Sequence, residues 1–299
     1  MSDRMVILGA GGLLGTVLAA QAASGGREVV ALGSAECDIT DADAPERHIS
    51  SGDVVVNCAA YTRVDDAERE PDRARAVNET GPRNVARACA GVGARLIHVS
   101  TDYVFDGDFR GAEPRPYEID DETRPLSVYG RTKLAGETAV LSELPTATVV
   151  RTSWIFTGGD GSDFVSVMRR KAAEGATVDV VADQIGSPTW VEDLVTALLQ
   201  VADTGIAAPI LHAPNGGTAS RFEQARTVYE LVGADPELVR PVGTDRHPRP
   251  APRPPYSALS ARRSAEAGLT PLRPWRDALA AAVNAGGATP GAGSLPSTP

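Results

Sequence analysis

Cysteine, aromatic residues, lysine and net positive charge are all scarce in this chain. Its three Cys (Cys37, Cys58, Cys89) are scattered, odd in number and form no C-x-x-C pair. Neither a disulfide framework nor a zinc site is therefore indicated, and they read as small buried apolar residues. No Cys/His spacing suits a metal, so no catalytic metal is expected, and Mg is not indicated by the sequence. No apolar run approaches the roughly 20 residues that span a bilayer. A strand-like segment begins at Met5 without a basic stretch leading into an apolar core and a cleavage site, so a cytoplasmic location is expected. A formal charge of −10 argues against broad nucleic-acid binding. It leaves small anions open, because backbone amides and a few Arg side chains hold those locally.

What is present is an ordinary globular composition, 42% apolar and 23% charged over 299 residues, enough for two lobes. Met5-Val6-Ile7-Leu8 is a short continuous apolar run, the mark of a strand buried on both faces. The turn Gly9-Ala10-Gly11-Gly12-Leu13-Leu14-Gly15 follows, and then a helix over 16–23. In that order Gly9 permits the tight turn, Gly12 lets backbone approach a pyrophosphate and Gly15 lets the helix pack on the strand. The spacing is G-x-x-G-x-x-G and points to dinucleotide binding at the helix N-terminus. The second strand, ending at Leu32, is followed by Gly33-Ser34 where an acidic residue often takes the adenosine ribose. That leans toward NADPH, yet no adjacent Arg is present, and NADH stays open. Asp38, in Cys37-Asp38-Ile39-Thr40-Asp41, fits either a cap on a following helix or a contact to adenine.

Buried strands are expected over 53–57, 94–99 and 147–151, with helices around 72–78 and 80–91 between the first two. The strand at 94–99 delivers Ser100-Thr101-Asp102 to the carboxyl edge of the sheet, where α/β proteins bind ligands. The pattern is α/β: a Rossmann-type doubly wound parallel sheet with a smaller α/β substrate-binding lobe. Residues 1–155 form the NAD(P)-binding part, and a helix over 190–203 returns to it. Residues 156–285 form mainly the substrate lobe, with helices over 164–174, 221–232 and 274–285 and strands over 178–181 and 210–212. Residues 286–299, rich in Gly, Ala, Pro, Ser and Thr, read as a disordered tail. The Pro/Arg loop 246–255 reads either as a connector or as a diphosphate clamp.

Tyr129 and Lys133, in a helix expected over 129–142, carry the chemistry. Residues four apart share a helix face, so a Lys ammonium can sit by the Tyr hydroxyl and favour its phenolate, lowering a pKa that is ordinarily near 10. A phenol so tuned is a general acid/base. With six Tyr and two Lys in the chain, about 0.04 such pairs arise by chance.

With these motifs in this order, the chain resembles the extended short-chain dehydrogenase/reductases and, within them, the dTDP-4-dehydrorhamnose reductase family. The likeness is carried by Val56-Asn57-Cys58-Ala59-Ala60-Tyr61-Thr62 with Val64-Asp65-Asp66-Ala67-Glu68, by Ser100-Thr101-Asp102-Tyr103-Val104-Phe105-Asp106-Gly107, by Tyr129-Gly130-Arg131-Thr132-Lys133-Leu134-Ala135-Gly136-Glu137, by Arg151-Thr152-Ser153-Trp154 and by Asp183-Gln184-Ile185-Gly186-Ser187-Pro188-Thr189. The resemblance implies reduction of the C4 ketone of dTDP-4-dehydro-L-rhamnose with NADPH or NADH. Tyr129 would be the proton donor, Lys133 would hold the nicotinamide ribose and depress the Tyr129 pKa, Thr101 and Asp102 would complete the catalytic set, and these two with Trp154 and Arg253 would meet the sugar nucleotide. Gly9, Gly11, Gly12, Leu13, Gly15, Asp38, Ile39, Ala60, Tyr61 and Thr62 would hold the cofactor. A monomer or homodimer is expected, whose partner is a dTDP-sugar rather than nucleic acid or membrane. Two departures, Tyr256 in Arg253-Pro254-Pro255-Tyr256-Ser257-Ala258-Leu259 and Ser162-Asp163 before Phe164, leave room for another dTDP-keto-sugar. Tyr103 stands where dehydratases carry a Glu, which argues against dehydration. A regulatory NADP-binding subunit like that of methionine adenosyltransferase is the non-catalytic alternative.

Overall fold

The computed structural model describes residues 4–287. β1 (Met5–Leu8), α1 (Leu13–Ser24) and β2 (Val29–Leu32) open the chain. After β3 (Val54–Asn57) come the short α2 (Val64–Ala67) and α3 (Pro71–Arg75), a π-turn over Ala76–Thr80, and α4 (Gly81–Val92). β4 (Arg95–Thr101), α5 (Val128–Glu143) and β5 (Thr148–Thr152) follow. The later half holds β6 (Ile155–Phe156), α6 (Phe164–Ala173), β7 (Val178–Val181), β8 (Ile185–Gly186) and β9 (Thr189–Trp190). It continues through α7 (Val191–Thr204), β10 (Ile210–His212), β11 (Ala219–Ser220), α8 (Arg221–Leu231), β12 (Val239–Val242), α9 (Arg262–Glu266) and α10 (Trp275–Gly287). Among the described residues no helix is long and apolar enough to cross a membrane.

Six strands form one parallel sheet in the order β10-β5-β4-β3-β1-β2. β2 lies on one side of β1 and β3 on the other, so strand order reverses there and opens a crevice at the carboxyl edge. The sheet is covered on both faces, and successive residues of β1 show how. Met5 and Ile7 pack with Leu18 of α1 and Leu194 and Leu198 of α7, while Val6 and Leu8 pack with Val85 and Cys89 of α4 and Val140 of α5. A smaller core gathers α6, α8 and α10 around Val180 of β7 and Val239 of β12.

Three expectations change. β10 belongs to the large sheet, in register with Val149, Val150 and Arg151 of β5, and not to the smaller lobe. Its Leu211 is fully buried with the α1/α7 core, and that burial draws the strand across. The helix expected after Asp38 is a local turn followed by one 3-10 turn at Pro45–Arg47. Asp38 spends its carboxylate on the Thr40 amide and hydroxyl, and the Ile39 and Thr40 carbonyls accept from Asn84 of α4, which fixes the segment without a helix. Finally, α10 runs to Gly287, two residues into the segment expected to be irregular, whose remainder lies outside the described residues.

α5 is seated unusually close to its neighbours. A Cβ on Gly136 would stand 2.0 Å from the Asn78 carbonyl oxygen of the π-turn. Alanine is the better helix former, but here it must push the π-turn away. Gly136→Ala is expected to cost about 1–3 kcal/mol of stability, read as a lower urea midpoint; an unchanged midpoint would mean that the contact is soft.

Candidate active site

The crevice at the carboxyl edge is a cleft of about 920 Å³. It is lined by Gly9, Gly11, Gly12, Leu13, Gly15, Asp38, Ile39, Ala60 and Thr62 at one end and by Tyr129 and Lys133 at the other. Gly9 has a φ of +76°, and a Cβ there would collide with Ala59 backbone at 2.6 Å; a Cβ on Gly15 would meet the Gly9 carbonyl at 2.4 Å. Gly12 caps α1 and spends its N–H on Gly9 O at 3.0 Å, so the glycine open to a ligand is Gly11, where nothing lies within 4 Å of a Cβ position. No side chain caps α1 and no acidic residue stands in its first turn, which leaves its first amides for an anion. The cradle fits a dinucleotide diphosphate. Tyr61 is the exception among the expected cofactor contacts, since its side chain turns away into a small core and its hydroxyl donates to Glu70.

Ser127 starts α5 by accepting from the Gly130 amide at 3.1 Å, and this places Tyr129 and Lys133 on the face toward the cleft. Burial pushes the Tyr129 phenol above its usual value; a bond with Thr101 pulls it down, and Asp102 and Tyr103 push it up. The expectation that Lys133 lowers this pKa is not met. Desolvation outweighs everything else, and the Lys133 ammonium is spent on the Val99 carbonyl at 2.7 Å. Lys133 is itself brought down to about 8 by burial, against the pull of Glu137 and Cys58. Glu137, one turn on, is buried with Arg151 at 2.7 Å and accepts from Ser100 at 2.5 Å.

Thr101 and Asp102 lie directly behind Tyr129. Asp102 Oδ1 faces the Thr101 hydroxyl at 3.1 Å, and Asp102 Oδ2 accepts from Ser257 at 2.5 Å. Thr101 has one hydroxyl hydrogen and two oxygen neighbours, Asp102 and Tyr129. It donates to one while accepting from the other, so the direction of the pair follows the protonation of Asp102. Burial, ahead of the opposing Ser257 and Thr101 bonds, raises Asp102 to about 6.

A second cavity of about 480 Å³ lies on the other side of the Tyr103/Tyr129 ring contact. Tyr103 lines it, and the Tyr103 ring meets that of Tyr129 edge-on at 5.6 Å. Arg253 lines it too, held by both Asp65 oxygens at 2.5 and 2.9 Å, while Arg249 reaches Asp65 at 3.4 Å. The two Arg partners hold the Asp65 carboxyl down to about 2. The Pro/Arg loop is thus pinned to α2. Trp154 has a φ of +48°, costly for a bulky residue, and its ring packs on Gly186 and under Arg221. Arg221, Ser257 and Asp65 are the residues that sequence reasoning missed. Asp65 and Ser257 lie inside motifs that carry the family likeness, whereas Arg221 carries no local signal.

A parallel sheet with a glycine cradle at its crossover and a half-buried Tyr129 one turn from a buried Lys133 at the cleft defines a dinucleotide-binding protein of the extended short-chain dehydrogenase/reductase kind. Residues 3–287 match the family described as "RmlD substrate binding domain", and the chain belongs to that family. It is 62% identical over 299 residues to the dTDP-4-dehydrorhamnose reductase of Mycolicibacterium smegmatis, covering all of this chain and 90% of that protein. To the enzyme of the same name from Mycobacterium tuberculosis it is 64% identical, covering 95% of this chain and 93% of that one. A crystal structure of dTDP-4-dehydrorhamnose reductase from Bacillus anthracis in complex with NADP superimposes with a TM-score of 0.85 at 34% identity, covering 93% and 98%.

Asp102 gives a pH test. Its folded pKa, about 6, lies above the ordinary value of 3.8. Between those values the folded state binds the extra proton, so its contribution to stability is present below 3.8 and is lost as pH rises through 6. Asp102→Asn should flatten the corresponding fall in urea-unfolding free energy, a difference of up to about 3 kcal/mol. Parallel pH profiles for the two proteins would rule out the raised carboxyl.

Proposed function

We propose that this chain reduces the C4 ketone of dTDP-4-dehydro-L-rhamnose to dTDP-L-rhamnose, with NADPH favoured over NADH. The observation that carries the reading is the meeting of Tyr129, Thr101 and Asp102 where the glycine-cradled cleft faces a cavity rich in cations across the Tyr103/Tyr129 ring contact. Gly11, the α1 amides, Asp38, Ile39, Ala60 and Thr62 hold the dinucleotide, which supplies the hydride when bound. Lys133 holds the nicotinamide ribose. Arg253 and Trp154 sit on the sugar-nucleotide side. In this reading residues 1–155, with α7 and β10, serve the cofactor, and most of 156–285 serves the substrate. The protein works in the cytoplasm as a monomer or homodimer.

Tyr129 is the proton donor. A phenol above its usual pKa keeps its proton until a stronger base, the alkoxide forming at C4, is beside it. Thr101 then returns a proton from Asp102, whose pKa near 6 leaves it partly protonated close to neutral pH.

Support comes from the names of the relatives and from the NADP held by the Bacillus anthracis protein. The test is oxidation of NADPH and of NADH in the presence of dTDP-4-dehydro-L-rhamnose made in situ, with wild type beside Tyr129→Phe. Turnover that falls by about 10²–10⁴ in the variant, with cofactor affinity kept, is the expected result. Cofactor binding without turnover of this keto-sugar by wild type would overturn the reading.

A further inference from the structure

The second cavity presents several cations, and their charges are not equally available. Arg253 and Arg249 share the Asp65 carboxylate, and Lys171 is paired with Glu174 at 2.8 Å. Arg221 also lines the cavity, and among the described residues it has no carboxylate within ion-pair distance. One of its terminal nitrogens donates to Gln224 Oε1 at 3.1 Å, and its guanidinium lies 3.6 Å from the centre of the Trp154 ring and 4.9 Å from that of Phe164. A stacked guanidinium keeps its in-plane donors free.

The stack is fixed from below. A Cβ on Gly186 would come within 2.4 Å of the Trp154 ring, so only glycine lets the indole lie there, and Trp154 accepts a left-handed backbone to do so. Ser220 caps α8 with a capping box and sets Arg221 at the first position of the helix. Half-burying a cation without a carboxylate is unfavourable unless an anion arrives to share its charge. The charged groups near it are Asp102, beside the reacting end, and Arg253 along the cavity.

We propose that Arg221, held flat on Trp154, receives the diphosphate of the sugar nucleotide and so sets how far the hexose reaches toward Tyr129. Arg253, neutralised by Asp65, then acts mainly to hold the Pro/Arg loop over the cavity. This assignment rests on the reading of the chain as a dTDP-sugar reductase and names the group that recognises the diphosphate. A guanidinium presents two parallel donors to phosphate oxygens, which an ammonium cannot do.

The experiment is calorimetric titration of dTDP, and separately of thymidine, into wild type, Arg221→Gln and Arg221→Lys, with NADPH affinity measured on each protein. Arg221→Gln is expected to weaken dTDP at least tenfold while thymidine and NADPH stay within twofold of wild type. Arg221→Lys should recover only part of the loss. dTDP affinity equal to wild type in Arg221→Gln overturns the assignment. If that variant fails to bind NADPH and is judged misfolded, Arg221→Lys decides: a threefold or greater loss for dTDP alone supports the assignment, and no loss overturns it. A wild type that does not bind dTDP overturns both this assignment and the reductase reading. Arg221-dependent dTDP binding in a protein that does not reduce the keto-sugar supports Arg221 and removes only the reaction.

Discussion

Three ionisable side chains lie buried in a row under the carboxyl edge of the sheet, and much of the architecture serves to make that tolerable. Lys133, Glu137 and Arg151 are each almost wholly inaccessible. An isolated charge in such a place costs far more than a folded domain can spare. Glu137 is therefore shared between the Arg151 guanidinium and the Ser100 hydroxyl, and Lys133 finds the Val99 carbonyl. All of these partners come from the ends of β4 and β5, so the polar network works only if α5 lies tight against the sheet. Gly130 and Gly136 permit that approach, one beneath the Tyr103 carbonyl and the other against the π-turn. Asn78 in that turn accepts from the Tyr61 amide and donates to Thr132, which ties the cofactor-side loop to the same helix.

The two halves of the chain meet through a few polar contacts that span long stretches of sequence. Ser257 reaches the carboxylate of Asp102, and Asp65 reaches Arg253. Both bonds run from the late segment around 249–259 to the dinucleotide-binding half, and both end beside the ring pair Tyr103/Tyr129 or the acid behind it. A buried carboxylate anchored from both sides cannot drift, which suits the proton exchange through Thr101 that we propose for it.

The elements that could be read from sequence are those with a strong local signal. β1 and β3 are short apolar runs and β4 and β5 hold adjacent apolar pairs, and the residues of the glycine turn, of the Ser-Thr-Asp edge and of the Tyr-x-x-x-Lys pair lie, motif by motif, within a few positions in sequence. β10 is three residues long, and nothing in Ile210-Leu211-His212 says which sheet it joins; that is decided by the pocket waiting for Leu211 beside α7. Asp65, Arg221 and Ser257 escaped for a related reason. Each owes its role to a partner far away in the chain: Arg253 for Asp65, Trp154 for Arg221 and Asp102 for Ser257. No spacing rule reports such meetings.

The direction of the Tyr129 shift is the point at which local reasoning and tertiary structure part most clearly. From spacing alone, a Lys one turn away argues for a depressed phenol pKa, because only the pairwise charge is visible. In the folded chain both groups are desolvated at the cleft wall, so both move toward their neutral forms: the phenol upward and the ammonium downward to about 8. For the proposed reduction this is the more useful state. A proton that must reach a strongly basic alkoxide needs a donor that has not already lost it to water, and burial guarantees that. What the helix spacing then secures is position: with its Nζ fixed on Val99, Lys133 stands beside the same cleft as Tyr129, ready to hold a ligand there rather than to ionise its neighbour.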